Sequence, residues 1–521
     1  MTTSNPLKNI EHIVVVMFEN RSFDNLLGWL YDPANPAPYN VVPSDFEGLS
    51  GRRLTNPDLR GNEIPVAKTI DPRSPQPNPG EPFEDVFSQI YDVPLTPFGN
   101  VPAVPNKPAS MRGFIHNYFE QKHQPLDPST IMQCLTPQTL PVLSGLAHNF
   151  AVCDHWFASI PTQTFCNRSF VHAGTSSGYV NNGGGRLVFI NETPTIFDLL
   201  EDAGRSWQVF VGGWLLQSFT LLTQKSLWKH ALTGRFAHFK KFLAAAAQGT
   251  LPNYSFIEPI YFDSLIWGPE NDMHPECNPY EFYGPSNLHR GEALLATIYN
   301  ALRSGPKWER TLLLILFDEH GGCYDHVPPP TSADCAVAIN PDGDGHVIPQ
   351  GRPGGIGFNF DRLGPRVPAI IVSAYTAPQT RLHDVFEHTS VLSTVINCLD
   401  LPAGRLGERQ ARALDLSAAL NLSTPRSSYP IIEPPHFSLW DDLQSEFRHL
   451  VPRHPVDAGP VPLEDLQRFS LHAMAELTGA SELHSRIASL TGELEADLLL
   501  AKQEAQFLKR GQNSAAPGRL L

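Results

Sequence analysis

Two pairs of polar residues stand at the ends of two apolar runs. His12-Ile13-Val14-Val15-Val16-Met17-Phe18 stops abruptly at Glu19-Asn20, and Thr311-Leu312-Leu313-Leu314-Ile315-Leu316-Phe317 stops at Asp318-Glu319-His320-Gly321-Gly322. If the two runs lie side by side, Glu19, Asn20, Asp318 and Glu319 converge on one spot. Three carboxylates that close repel and raise one another's pKa. A divalent cation with hard oxygen ligands relieves that repulsion, and Ca²⁺ or Mg²⁺ suits an all-oxygen site. Zn²⁺ would more often bring His or Cys into contact with the metal. The plainer reading of the first run is a strand followed by a helix cap.

A third polar group is Thr164, in Ser159-Ile160-Pro161-Thr162-Gln163-Thr164-Phe165-Cys166-Asn167-Arg168. A helix is expected to start near Thr164 and end at Gly174. A hydroxyl at a helix N-terminus lies beside free backbone N–H groups that favour an anion, so Thr164 could be a nucleophile facing a phosphate. Alternatively Thr162 or Thr164 only caps the helix. Arg168, one turn on, could clamp phosphate oxygens or form a buried ion pair with a core carboxylate. His388, in Glu387-His388-Thr389-Ser390, either reaches the site or makes a structural hydrogen bond.

These side chains need a rigid frame. Both apolar runs are too short to span a membrane and read as strands buried on both faces, as in a parallel sheet. In such sheets ligands bind at the carboxyl ends of the strands. Helices are expected at 22–30, 111–121, 140–149, 164–174, 291–303 and through Leu399, and further strands at 185–190, 207–211, 254–258 and 368–373. Residues 33–110 read as loops folded over the site, and 264–290 as a loop-rich insertion holding His274 and His289. Pro341-Asp342-Gly343-Asp344-Gly345 reads as a turn, since the remaining ligand positions of a calcium loop are lacking. The division expected is a catalytic domain at 1–424 and a helical extension at 425–521.

Composition narrows the function. The 521 residues suit one large α/β domain with additions, and 49 Pro with 38 Gly point to long ordered loops. A net charge of −15 argues against nucleic acid as partner. The seven cysteines show no CxxC pair and read as mostly free thiols, with no disulfide framework and no structural zinc site. No basic segment precedes the first apolar run, so the default expectation is a cytoplasmic protein without signal peptide. Walker A, G-x-G-x-x-G and G-x-S-x-G motifs are all lacking. The C/S-x-P-x-R arrangement of sulfatase chemistry is lacking too.

In combination, the motifs resemble the bacterial phospholipase C and acid phosphatase family of phosphoesterases, which includes plant non-specific phospholipases C. The resemblance covers residues 10–400. It rests on His12 to Asp24; Trp156 to Pro161 with Thr164 and Asn167-Arg168; Gly174-Thr175-Ser176; Phe256-Ile257-Glu258-Pro259; Asn271 to Pro275; Asp318 to Pro328; and Glu387 to Ser390, in that order. It implies an alkaline-phosphatase-like α/β core with a central, mostly parallel sheet. It also implies Thr164 as nucleophile and Glu19, Asn20, Asp318 and Glu319, with Thr164, around one divalent metal ion and the phosphate. His274 and His289 match histidines that contact the phosphoryl group. The expected activity is phosphate-ester hydrolysis through a phosphothreonine, on phospholipid head groups with transient membrane contact. The alternatives are an acid phosphatase for small monoesters and a non-catalytic binding protein on the same fold. Glu81 departs from the family pattern, where His is frequent, and would add either negative charge or a metal ligand.

Overall fold

The computed structural model describes residues 6–97, 109–122, 124–184, 187–264, 266–275, 286–331, 358, 360–435, 465–480, 483–490 and 493–514. The turn expected at 341–345 lies outside these residues. Eight strands form one central sheet: β1 (His12–Phe18), β2 (Ala151–Cys153), β3 (Trp207–Val211), β4 (Phe236–His238), β5 (Tyr254–Glu258), β6 (Thr311–Phe317), β7 (Ala369–Ser373) and β8 (Thr380–Leu382). Their spatial order is β4-β3-β5-β1-β6-β7-β2-β8. All pairings are parallel except those of β7, which runs against both β6 and β2. Helices cover the sheet, so β1 and β6 are buried along their whole length, as their unbroken apolar runs require.

The register is what matters for the site. His12 pairs with Thr311 and each successive residue with the next, up to Phe18 with Phe317. The two strands therefore end level, and Glu19-Asn20 and Asp318-Glu319 emerge side by side. On the other flank of β1, the last residue of β5 is Glu258. Three adjacent strands thus carry acids to one edge of the sheet.

Several expected elements differ in detail. The helix at 164–174 spans Thr164–Ala173, with Gly174 closing it at φ 74°. The helix at 111–121 is shorter, Phe114–Phe119. Among the described residues of the strand expected at 185–190, Leu187–Val188 pair with Gly183–Gly184 outside the main sheet. A helix at Phe83–Tyr91 interrupts the stretch read as loops. Its apolar residues at 83, 86, 87, 90 and 91 follow the helical period, but prolines on its N-terminal side masked it.

The C-terminal helices Asp465–Thr478, Leu483–Ala488 and Glu493–Ser514 share an apolar cluster with Trp214, Leu216 and Leu222. Asp497 accepts from Trp214 Nε1 at 2.7 Å, and Glu504 accepts from the Leu216 N–H at 3.1 Å. Before them the chain stays on the main body through Ile432: the Pro430 and Ile432 carbonyls bond Tyr299 and Asn300. The described cysteines, Cys134, Cys153, Cys166, Cys323 and Cys398, are free and buried.

His172, in the last turn of the Thr164–Ala173 helix, anchors that helix to the sheet. Its ring meets Phe256 of β5 edge-on at 4.7 Å, and Nε2 lies 3.1 Å from Thr220 Oγ1. Burial, with the Arg168 charge, pulls its pKa from 6.5 down to about 3. The unfolded chain therefore binds a proton that the native state refuses between about pH 6.5 and 3. Stability is full above 6.5 and falls by about 1.4 kcal/mol for each unit below it. His172→Gln is expected to remove this slope, which urea unfolding at pH 7 and pH 5 would read as a smaller acid loss of about 2 kcal/mol. Equal acid losses in both proteins would show that His172 is not the sensitive group.

Candidate active site

The chain must bend sharply where β1 ends. Asn20 adopts φ 57°, a left-handed conformation that Asn tolerates better than most residues. Its carbonyl comes against Gly321, where a Cβ would lie 2.1 Å from the Asn20 oxygen. Only glycine fits, so the Gly-Gly turn after Glu319 is a condition of the two strand ends meeting. Backbone bonds lock them: Arg21 N–H donates to the Glu319 carbonyl at 3.0 Å, and Asn20 N–H to Asp318 Oδ1 at 3.0 Å.

The side chains converge as the strands imply. Asn20 Oδ1 faces Thr164 Oγ1 at 3.5 Å. Asn20 Nδ2 meets Glu81 Oε2 and lies 2.7 Å from His274 Nε2. His274 Nε2 is 3.7 Å from Glu81 Oε2, and its Nδ1 pairs with the Pro275 carbonyl at 2.6 Å, so Nε2 is the atom presented to the site. Thr164 is the first residue of its helix; the cap is Gln163, without a side-chain bond. Thr162 Oγ1 is spent on the Val180 carbonyl at 2.6 Å. Neither threonine caps the helix, which leaves the Thr164 hydroxyl free of that duty.

Arg168 does not act as a phosphate clamp. Its Nε donates to Asp318 at 2.9 Å, Nη2 pairs with Glu19 at 3.1 Å and Nη1 donates to the Tyr261 hydroxyl at 2.7 Å. The guanidinium is buried and fully engaged with the acids at the strand ends. His388 likewise takes its structural alternative, with Nε2 bonded to the Asp318 carbonyl at 2.6 Å. His320 bonds Gln89 at 2.7 Å from the Phe83–Tyr91 helix. Asp325 and Arg366 pair at 2.9 Å, and Asp24 pairs with both Arg366 and His326. His289 is placed differently from His274: its Nε2 meets the Thr139 carbonyl at 3.0 Å.

Asp272 is the residue that sequence reading passed over. Its backbone carbonyl accepts from Glu19 N–H at 2.9 Å, and its Oδ1 accepts from His274 N–H at 3.0 Å. The signal was its place two residues before His274 in Asn271-Asp272-Met273-His274.

The site carries a surplus of acid. Glu19, Glu81, Asp272, Asp318 and Glu319 are five carboxyls; among the described residues, Arg168 and His274 pair with them, and the His320 ring, 3.3 Å from Glu319, is pulled down to a pKa of about 3 by burial. Burial, then neighbouring carboxylates, pushes Glu19 and Glu319 well above the carboxylate range, and burial lifts Asp272 to about 6. Burial pushes the other way on His274, but Glu81 beside it, with Glu19 and Asp272, holds its pKa well above the ordinary value. Burial pushes Glu81 up, yet His274 outweighs it and keeps that carboxyl below its ordinary value. Among the described residues, Glu319 Oε1 and Asp272 Oδ2 are buried without a hydrogen-bond partner, and Glu19 Oε1 has the Arg168 ion pair. Orphaned carboxylate oxygens beside excess negative charge are the donor set that a hard divalent cation fits.

A cleft of about 610 Å³ is lined by Trp207, Gln208 and Arg235. Trp207 begins β3, so that cleft opens at the amino edge of the sheet, away from Thr164.

A family model described as the phosphoesterase family matches residues 10–402. Non-specific phospholipase C3 of Arabidopsis thaliana is 34% identical over 443 residues, 83% of this chain and 77% of the relative. Phospholipase C A of Mycobacterium tuberculosis is 27% identical over 452 residues, 81% of this chain and 79% of the relative. A solved structure of an alkaline phosphatase superfamily protein from Vibrio parahaemolyticus matches with TM-score 0.30 at 12% identity, over 53% of this chain and 64% of that one.

Proposed function

This chain belongs to the phosphoesterase family and is a phosphoric ester hydrolase, and on that premise we propose that it is a phospholipase C-like enzyme working through a phosphothreonine at Thr164. The observation that carries the reading is the Thr164 hydroxyl, at a helix N-terminus, facing Asn20 beside a cluster of under-neutralised acids.

Glu19, Asn20, Asp318 and Glu319 would hold one divalent cation, with Thr164 beside them and Asp272 adding an oxygen the motifs did not assign. Bound there, such an ion supplies charge for phosphoryl oxygens and acidifies the Thr164 hydroxyl. The Thr164 oxygen attacks phosphorus, and its proton passes to the carboxylate cluster. The P–O bond to the glycerol oxygen breaks, and that oxygen takes a proton from His274 Nε2, which Glu81 holds protonated. Water then attacks the phosphothreonine and returns a proton to His274. The Thr164 oxygen leaves with the proton it gave up. His289, bound to the Thr139 carbonyl, stands outside this set. Glu81 thus acts by charging His274 rather than by meeting substrate.

Product analysis tests the substrate class. Phosphatidylcholine vesicles are expected to give diacylglycerol and phosphocholine, and a chromogenic monoester is expected to turn over at least about tenfold less efficiently, a difference of about 1.4 kcal/mol in barrier. EDTA is expected to abolish both activities, with recovery on adding Ca²⁺ or Mg²⁺. Free phosphate from the monoester with no diester cleavage would place the protein among acid phosphatases. Full activity after exhaustive chelation would remove the metal from the mechanism.

A further inference from the structure

A second cluster lies at the other end of the sheet order, on the paired edge strands β2 and β8. Cys153 pairs with Leu382, so the next residues, Asp154 and His383, emerge level with each other. His155 follows directly. His155 Nδ1 lies 2.8 Å from Asp154 Oδ1, and His383 Nδ1 lies 3.0 Å from both Asp154 oxygens. One ligand atom from each of the three residues falls within 4.8 Å of the others. Asp154 is buried, while the imidazoles are 27% and 39% exposed, so the cluster opens to solvent on one side.

We propose that Asp154, His155 and His383 form a structural site for a borderline divalent metal of the zinc class, with solvent water completing its coordination.

Three observations carry this. First, the donor set, two imidazole nitrogens and a carboxylate, is the chemistry that zinc-class ions take, in contrast to the all-oxygen acids around Thr164. Second, His383 has carboxylates on both nitrogens: Asp154 at Nδ1 and Asp45 Oδ2 at 3.3 Å from Nε2. A neutral imidazole has one N–H to give. With Nε2–H donated to Asp45, the contact between Nδ1 and Asp154 requires a positive charge, supplied by a proton on Nδ1 or by a metal ion between the two atoms. A carboxylate behind a metal-bound imidazole is the usual supporting contact, and Asp45 is itself fixed by two bonds from Arg381 at 2.9 and 3.1 Å. Third, among the described residues, the carboxylate itself carries no guanidinium or ammonium bond: Arg366 reaches Asp154 only at its backbone carbonyl, at 2.8 Å. In the similar group Asp24, Asp325 and His326, the Arg366 guanidinium bonds both carboxylates. Among the described residues no lysine or arginine pairs with the Asp154 carboxylate, whose ion-pair partners are the two imidazoles.

The ion would tie three segments together: β2, the edge strand β8 and, through Asp45 and the Glu47 N–H on Asp154, the 45–47 loop. It sits at the start of the segment that leads through Trp156 to Thr164. The absence of cysteine pairs hid it, since the expectation of no structural zinc site considered cysteines alone.

Zn²⁺ titration of metal-stripped full-length protein tests the proposal, with wild type against His155→Ala/His383→Ala. Wild type is expected to bind one equivalent more than the double variant, and Co²⁺ at that equivalent should show visible bands of imidazole ligation absent from the variant. Asp45→Asn is expected to keep the equivalent but weaken it about tenfold. His383→Gln, a surface change, gives a folded single variant in which the same equivalent should weaken at least tenfold. The variants should keep wild-type circular dichroism and wild-type turnover. Equal Zn²⁺ stoichiometry and affinity in wild type and variants would overturn the site, leaving plain imidazole–carboxylate hydrogen bonds.

Discussion

Thr164→Ala is expected to lower kcat by about 10⁴-fold or more while leaving the fold nearly untouched. A factor of 10⁴ is about 5.5 kcal/mol of lost transition-state stabilisation, in the range seen when a covalent nucleophile is removed. The stability side is small because the hydroxyl does so little for the fold. Its described bond, to Asn20, is long at 3.5 Å, and the helix cap is Gln163. Deleting one weak hydrogen bond costs about 1 kcal/mol or less. Thr164→Ser should retain measurable turnover, since it keeps the oxygen and drops only a methyl group. Acid-quenched wild type mixed with substrate should carry a phosphoryl or phospho-head-group adduct on the peptide containing Thr164, and the alanine variant should not. Full activity in Thr164→Ala would end the phosphothreonine mechanism, whatever the metal does.

The second large effect is on stability. Arg168→Met should destabilise the protein by about 3–5 kcal/mol, the usual cost of leaving a buried charge without its partner. Methionine replaces much of the apolar stem, but it removes the guanidinium that lies over Tyr261 and Phe219 and offers no charge to Asp318 and Glu19. The sign of the pH dependence follows from Glu19, whose pKa is already raised by burial. An acid with a raised native pKa binds more protons folded than unfolded, so it lowers stability as pH rises above its unfolded value of about 4.5. Removing the guanidinium enlarges that effect. Urea unfolding should therefore find Arg168→Met closest to wild type near pH 5 and furthest from it near pH 8. Arg168→Met/Asp318→Asn should recover part of the loss, because the amide no longer needs a counter-charge. A loss under 1 kcal/mol at both pH values would show that the pairs are not what holds the acids there.

Both predictions rest on one construction, and its parts were legible to different degrees. Continuous apolar runs at 12–18 and 311–317 admit little but buried strands, and the polar residues that end them can only sit at a sheet edge. The helix beginning at Thr164 was readable from its turn before and its glycine after. Family motifs then pointed to the acids, Thr164, His274 and His289 as candidates; the folded chain brings Asn20, Thr164 and His274 together beside the acids and sets His289 against the Thr139 carbonyl. What no pattern contains is the register of β1 on β6, which sets Glu19-Asn20 level with Asp318-Glu319; a one-residue slip would turn alternate side chains to the opposite face.

Tertiary structure also decided between readings that local chemistry left even. Arg168 became an ion-pair partner because a buried guanidinium among acids finds carboxylates before it finds a substrate. His388 became a structural donor because the Asp318 carbonyl lies within its reach. Glu81 and Asp272 entered the site from loops 61 and 252 residues away from Asn20, distances across which sequence spacing carries no geometry. Local sequence determined which segments are strands and helices and which residues carry charge, since those depend on neighbours along the chain. Strand order, register and the company each charge keeps depend on contacts between distant segments, and only the folded chain decides those.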